Sequence, residues 1–151
     1  MFLWRISNHD TLDGRGGLLA SARWHTRGRP IVYLATTPAG ALVEALVHLE
    51  LKPNQLPKSY RLLKAEAPDD LPKMHFSALT DDWQQNEIAS RTLGDEWLSL
   101  NQTPLLEVPS AILPETMNIL LNPMHADAAR ISVLWHEAYP FDKRLFKGIA
   151  R

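Results

Sequence analysis

One stretch that reads as a helix, PAGALVEALVHL at residues 38–49, carries two side chains able to do acid–base or electrostatic chemistry, Glu44 and His48. At about 100° per residue, Ala41, Leu42, Ala45, Leu46 and Leu49 share one apolar face, and Val43 and Val47 fall nearly opposite. A helix apolar almost all round is expected to be buried. Glu44 and His48 are one turn apart and form its single polar stripe. A carboxylate on a buried helix must be paired or must face a polar cavity. A Glu44–His48 pair on an exposed ridge is the competing reading, and exposed pairs of that kind contribute little.

Arg23 stands late in a glycine-rich segment, DGRGGLLASARWHTRGRP, just before the strand that feeds this helix. A guanidinium fork matches phosphate oxygens in a bidentate way, and nearby glycines let a ligand approach the backbone. A solvated loop arginine is the plainer alternative. The segment lacks the Gly-Lys-Ser/Thr of a P-loop and the Gly-x-Gly-x-x-Gly of a dinucleotide fingerprint. In VPSAILPETMNILLNPMH, prolines flank Ser110, and an apolar run ends abruptly at Asn122-Pro123. Either turn chemistry or a site explains such fixed polar residues. Ser110 has no Gly-x-Ser-x-Gly elbow, which argues against a hydrolase nucleophile. The six histidines show no His-Glu-x-x-His and no close carboxylate cluster, so no metal site is expected. The five tryptophans read as core.

The elements that must position these groups alternate irregularly, which indicates an α+β domain. Strands are expected at residues 2–6, 30–36 and 59–67, in PLLEVPSAIL paired with MNILLN, and in RISVLWHEAYPFD up to Pro140. Thr37 and Pro38 form a cap and first-turn signal for the helix. A second helix is expected from about Thr80, with Asp81 and Asp82 at its negative end and Gly94 punctuating it. The segment from Gly14 to Gly28 is expected to be a long, irregular, mobile loop.

At 151 residues the chain is expected to be one domain, with 45% hydrophobic residues to build a core. Its 16 Lys and Arg balance 17 Asp and Glu without a basic block, which disfavours nucleic-acid binding. The apolar runs are too short to span a bilayer, and the absence of a visible export signal points to the cytoplasm. Cysteine is absent, so neither a disulfide framework nor a thiolate site exists.

Taken in order, ARWHTRGRPIVYLATTPAGALVEAL, LGDEWL, LLEVPSAILPETMNILLNPMH and FDKRLF resemble the RES-domain family, which is named for Arg, Glu and Ser positions. One departure is His25, where the family usually has Asn after Arg-Trp. The resemblance implies a single compact domain over residues 1–151, with a core similar to ADP-ribosyltransferases. It implies a toxin of a bacterial toxin–antitoxin pair that degrades NAD⁺ by hydrolysis or phosphorolysis, with no cofactor and no metal. Arg23, Glu44 and Ser110 carry over as catalytic residues. Arg23, Tyr33, Ser110 and Asn122 carry over as substrate-binding residues, although the Asn122-Pro123 turn itself reads as structural.

In that scheme Glu44 stabilises an oxocarbenium-like ribose, Arg23 holds the pyrophosphate and Tyr33 packs on nicotinamide or ribose. Ser110 faces the cleft and bonds the nicotinamide end. The implied partners are NAD⁺ and a cognate Xre-like antitoxin, and a homodimer is left open. Two other functions stay in view: an ADP-ribosyltransferase acting on a protein, and a non-enzymatic binding module.

Overall fold

The computed structural model describes residues 1–49, 58–76 and 79–147. Within them lie strands β1 (Phe2–Ser7), β2 (Val32–Ala35), β3 (Arg61–Glu66), β4 (Lys73–His75), β5 (Leu105–Pro109), β6 (Met117–Leu121) and β7 (Ser132–Ala138). The helices are α1 (Arg15–Leu19), α2 (Pro38–His48) and α3 (Glu87–Leu100). The strands form one mixed sheet in the order β4-β5-β6-β2-β1-β3-β7. Only β4 and β5 are parallel; the other neighbours are antiparallel. The architecture is α+β, as the alternation of elements implies.

Period-two alternation explains how this sheet builds cores on both sides. Leu3, Val32, Leu34, Leu63, Ile119 and Leu121 pack on one face. The opposite face carries two separate clusters. Under α2, Ile6, Ala35, Ala41 and Ala45 join Phe141 and Phe146. Beside α3, Trp24, Ile31, Leu106, Val108 and Leu120 join Trp97.

α2 starts where its signals say. The Thr37 hydroxyl accepts the Gly40 N–H at 2.9 Å, and Pro38 opens the first turn. It is not buried all round: Ala41 and Ala45 face the core, whereas Val47 is 57% exposed. The paired strands β5 and β6 also form as expected, in the register Leu105↔Leu121 through Pro109↔Met117.

Three expectations fail for local reasons. The glycine-rich segment is no irregular mobile loop. It contains α1 and is tied by Gly28 N–H to Gly17 O at 3.0 Å and by Ile31 N–H to Gly14 O at 3.4 Å. Helix α3 begins at Glu87 rather than Thr80, because Asn86 caps it through Ala89 N–H at 3.1 Å while Thr80 and Asp82 close a separate turn. Gly94 lies inside α3, where a Cβ would collide with the Trp24 carbonyl, so it serves close packing rather than a break. Strand β4 is three residues long and gave no signal of its own.

Candidate active site

The site lies where β1 and β2 part. These strands pair at a single position, Trp4↔Ala35. A cavity of about 420 Å³ is lined by Trp4, Arg5, Ile6 and Ser7 of β1 and by Tyr33, Leu34 and Ala35 of β2. Consecutive strand residues point to opposite faces, so this cavity reaches into the gap between the strands. A second lobe of about 300 Å³ is framed by Arg23, Trp24, Val108 and Ile112. Both lobes share Tyr33, Glu44, His48 and Asn118, which therefore mark their junction. Each lobe is of the size small-molecule sites take.

Glu44 is the centre of that junction. Its Oε1 accepts two hydrogen bonds, from Ser110 Oγ at 2.7 Å and from Asn118 Nδ2 at 2.8 Å. Two bonds of this length to one oxygen hold the side chain's rotamer. No described residue bonds Oε2 or pairs Glu44 with His48, so the surface-pair reading of that stripe does not hold.

Ser110 does not face the cleft. It is 3% exposed and lines neither lobe. Its Oγ accepts the Ile112 and Leu113 N–H groups at 3.2 Å each, leaving its one proton for Glu44. The proline-flanked serine thus anchors the carboxylate.

Arg23 lines the smaller lobe but is already engaged. Nη1 donates to Trp83 O at 3.3 Å and Nη2 to Gln84 O at 3.0 Å, with Glu87 Oε1 at 4.0 Å and the Trp83 ring beneath it. Arg5 went unnoticed in the sequence, because one arginine in a strand-like pentapeptide gives no signal. It lines the larger lobe with one hydrogen bond, Nη1 to Thr11 O at 3.2 Å, and no described carboxylate lies within ion-pair distance. Burial lowers its pKa from the usual arginine value, with Asp13 opposing.

Tyr33 and His25 form a short relay that shapes the wall between the lobes. Trp24 N–H donates to the Tyr33 oxygen at 3.2 Å. His25 Nδ1 meets the same hydroxyl at 2.8 Å and Nε2 meets the Ala20 carbonyl at 2.9 Å. A carbonyl only accepts, so Nε2 carries the proton and Tyr33 O–H donates to Nδ1. Burial lowers the His25 pKa and raises that of Tyr33, which keeps both neutral near pH 7. His25, the departure from the usual asparagine, is therefore a built part of the wall.

Asn122 is not at the site. It is 2% exposed; its Nδ2 donates to Asn101 Oδ1 at 2.8 Å and its Oδ1 accepts Met124 N–H at 3.0 Å. It lines neither lobe, and its amide ties the turn at Met124 to Asn101 at the end of α3. Asn118, three positions after Glu115 in the same quoted stretch, is the asparagine that reaches Glu44. Strand alternation could have marked it: it is the one polar residue of the otherwise apolar strand β6. Among the described residues, no three His, Asp or Glu side chains converge as metal ligands do, and no helix is long and apolar enough to cross a membrane.

The family model of the RES domain matches residues 2–142. Toxin Res of Pseudomonas putida (strain KT2440) is 47% identical over 148 residues, covering 97% of this chain and 100% of that protein. The Prs ADP-ribosylating toxin of Sphingobium sp. (strain YBL2) is 33% identical over 156 residues, covering 95% of this chain and 96% of its own length. Among solved structures, the M. tuberculosis MbcT-MbcA toxin-antitoxin complex contains a chain with the same fold, at a TM-score of 0.73, 16% identity, and coverage of 97% of this chain and 86% of that one. Matched by that family model from its first strand to beyond its last, and by a relative over nearly its whole length, the chain belongs to the RES domain family.

Proposed function

We propose that this protein is the toxin of a toxin–antitoxin pair and that it destroys NAD⁺ by breaking the bond between nicotinamide and ribose. The observation that carries the reading is Glu44, a carboxylate fixed on one oxygen by Ser110 and Asn118 at the junction of two lobes. Relatives named as toxins, one of them as an ADP-ribosylating toxin, support the class of activity.

Nicotinamide leaves NAD⁺ as a neutral molecule, taking the electron pair of the C1′–N bond, so no general acid is required. The difficulty is the positive charge that develops on the ribose. A preorganised carboxylate beside C1′ stabilises it, as glycosidase carboxylates do. An incoming oxygen nucleophile then bonds C1′ and loses its proton.

The junction of Glu44 and Tyr33 would hold the ribose, and the apolar side chains of Trp24, Val108 and Ile112 suit the nicotinamide ring. The diphosphate is assigned to Arg5 in the larger lobe, since Arg23 already donates to two carbonyls. Arg23 instead frames the nicotinamide lobe. An antitoxin that covers the cleft would be the matching partner.

Incubation of the purified protein with NAD⁺, with and without phosphate, tests the reading. Free nicotinamide together with ADP-ribose or its 1″-phosphate is the expected product set. ADP-ribose bound to a protein would favour transfer, the second reading that the Sphingobium relative's name supports. NAD⁺ left intact under both conditions would overturn the NAD⁺-destroying reading.

A further inference from the structure

We propose that Asn118 is a positioning residue for Glu44, whose side-chain N–H holds the carboxylate turned so that Oε2 faces the junction of the two lobes. For catalysis this rests on the NAD⁺ reading above; the claim about the carboxylate does not.

Asn118 sits in the middle of the sheet, hydrogen-bonded in register with Ala35 of β2 on one side and Val108 of β5 on the other. Its backbone is therefore rigid, and a side chain on a rigid strand places a donor more accurately than one on a loop. The amide has both donor and acceptor capacity, yet the two halves are treated unequally. Nδ2 donates to Glu44 Oε1 at 2.8 Å. Oδ1 is shut away from solvent and has no described partner. An orphaned buried carbonyl is unfavourable for the fold, so the amide is not accounted for by stability. Its bond to Glu44 accounts for it.

Ser110 alone would leave that carboxylate free to swing about a single bond. A second donor from a different strand, on the same oxygen, removes that freedom. Ser110 follows the end of β5 and Asn118 lies in β6, so the two donors reach Oε1 from adjacent strands.

The other charged and titratable groups around Glu44 act differently. Arg5 from β1 and Arg23 from the segment before β2 are cations in separate lobes, and Glu87 of α3 lines the smaller lobe. Tyr33, Tyr60 and His25 line the larger lobe as neutral groups near pH 7. His48, one turn along α2, lines both lobes beside Glu44.

The test reads Glu44 directly. The carboxyl carbon of Glu44 is titrated by NMR in the wild type, Asn118→Ala and Asn118→Asp, and again with His48→Gln added to each. Loss of the donor in Asn118→Ala is expected to raise the Glu44 midpoint by roughly half a pH unit. Asn118→Asp places two carboxylates on one site, so the pair should titrate with an upper midpoint about one unit or more above the wild-type value. The His48→Gln background should leave these differences in place. Asn118→Ala should melt within a few degrees of the wild type.

With NAD⁺, kcat of Asn118→Ala should fall about tenfold with KM nearly unchanged, and the acid limb of kcat in Asn118→Asp should move up with the NMR midpoint. A Glu44 midpoint unmoved in both variants overturns the proposal, as does a wild-type kcat and pH profile in folded Asn118→Asp. A wild-type chain that leaves NAD⁺ intact sinks the function above instead, and the titration still decides whether Asn118 holds the carboxylate.

Discussion

Ser110 Oγ lies 2.7 Å from Glu44 Oε1, although the two residues are 66 positions apart in the chain. Two of the three residue types for which the family is named, Glu and Ser, are therefore bonded to each other. The serine acts on the glutamate, and the glutamate faces the cavity.

Glu44→Gln should keep the fold and lose at least about a hundredfold in NAD⁺ turnover, since it removes charge at similar volume. Expressed alone in cells, the wild type should arrest growth as NAD⁺ falls, and the Gln variant should be harmless yet still bind the antitoxin. Growth arrest that persists unchanged in the Gln variant would separate toxicity from NAD⁺ chemistry.

Ser110→Ala removes the donor to Glu44 and the acceptor for two backbone N–H groups. Both effects predict a lower kcat together with a loss of about 1–3 kcal/mol of stability, measured by denaturant titration. Because the hydroxyl lines neither lobe, ADP-ribose affinity should stay near the wild-type value. Weaker ADP-ribose binding in a folded variant would return Ser110 to the substrate.

The two arginines should separate in a binding assay. Arg5→Gln is expected to weaken ADP-ribose and NAD⁺ alike, by about tenfold or more, if it takes the diphosphate. Arg23→Lys keeps the charge but cannot span the Trp83 and Gln84 carbonyls, so it should damage NAD⁺ turnover more than ADP-ribose affinity. Calorimetric titration of both variants with ADP-ribose decides the assignment, and the opposite ranking would place the diphosphate at Arg23.

Burial lowers the His25 pKa in the folded protein, so the unfolded chain binds more protons below the ordinary histidine value of about 6.5. His25 should therefore contribute stability above that pH, and the contribution should decline as pH falls through it toward the folded pKa. The melting temperature between pH 7 and pH 5 should drop less steeply in His25→Asn than in the wild type. Parallel curves would mean that His25 is not held neutral by the fold.

Much of this protein is written locally. The Thr37 cap, the proline at the first turn and the apolar period of α2 lie within a dozen residues, and local hydrogen bonding obeys them. The β5–β6 pair was legible because two apolar runs flank a proline-rich connection. The family was legible because its motifs hold their order along the chain. The start of α3 was not legible: Thr80 was read as its beginning, whereas Asn86 caps it and Gly94 packs against Trp24 inside it.

The site itself was decided by tertiary structure. Arg23, Glu44 and Tyr33 were singled out in the sequence and line the lobes, but the sequence did not say what each one touches. Asn118 meets Glu44 across 74 positions, because the sheet order sets β6 beside β2 and α2 packs over that face. Arg5 enters the cavity because β1 and β2 pair at one position and then diverge. Ser110 turns inward and Asn122 closes a distant turn, although both stand in one quoted stretch. Period and propensity describe neighbours a few residues apart, whereas a hydrogen-bonded carboxylate is built from strands brought together by the core on either side of the sheet.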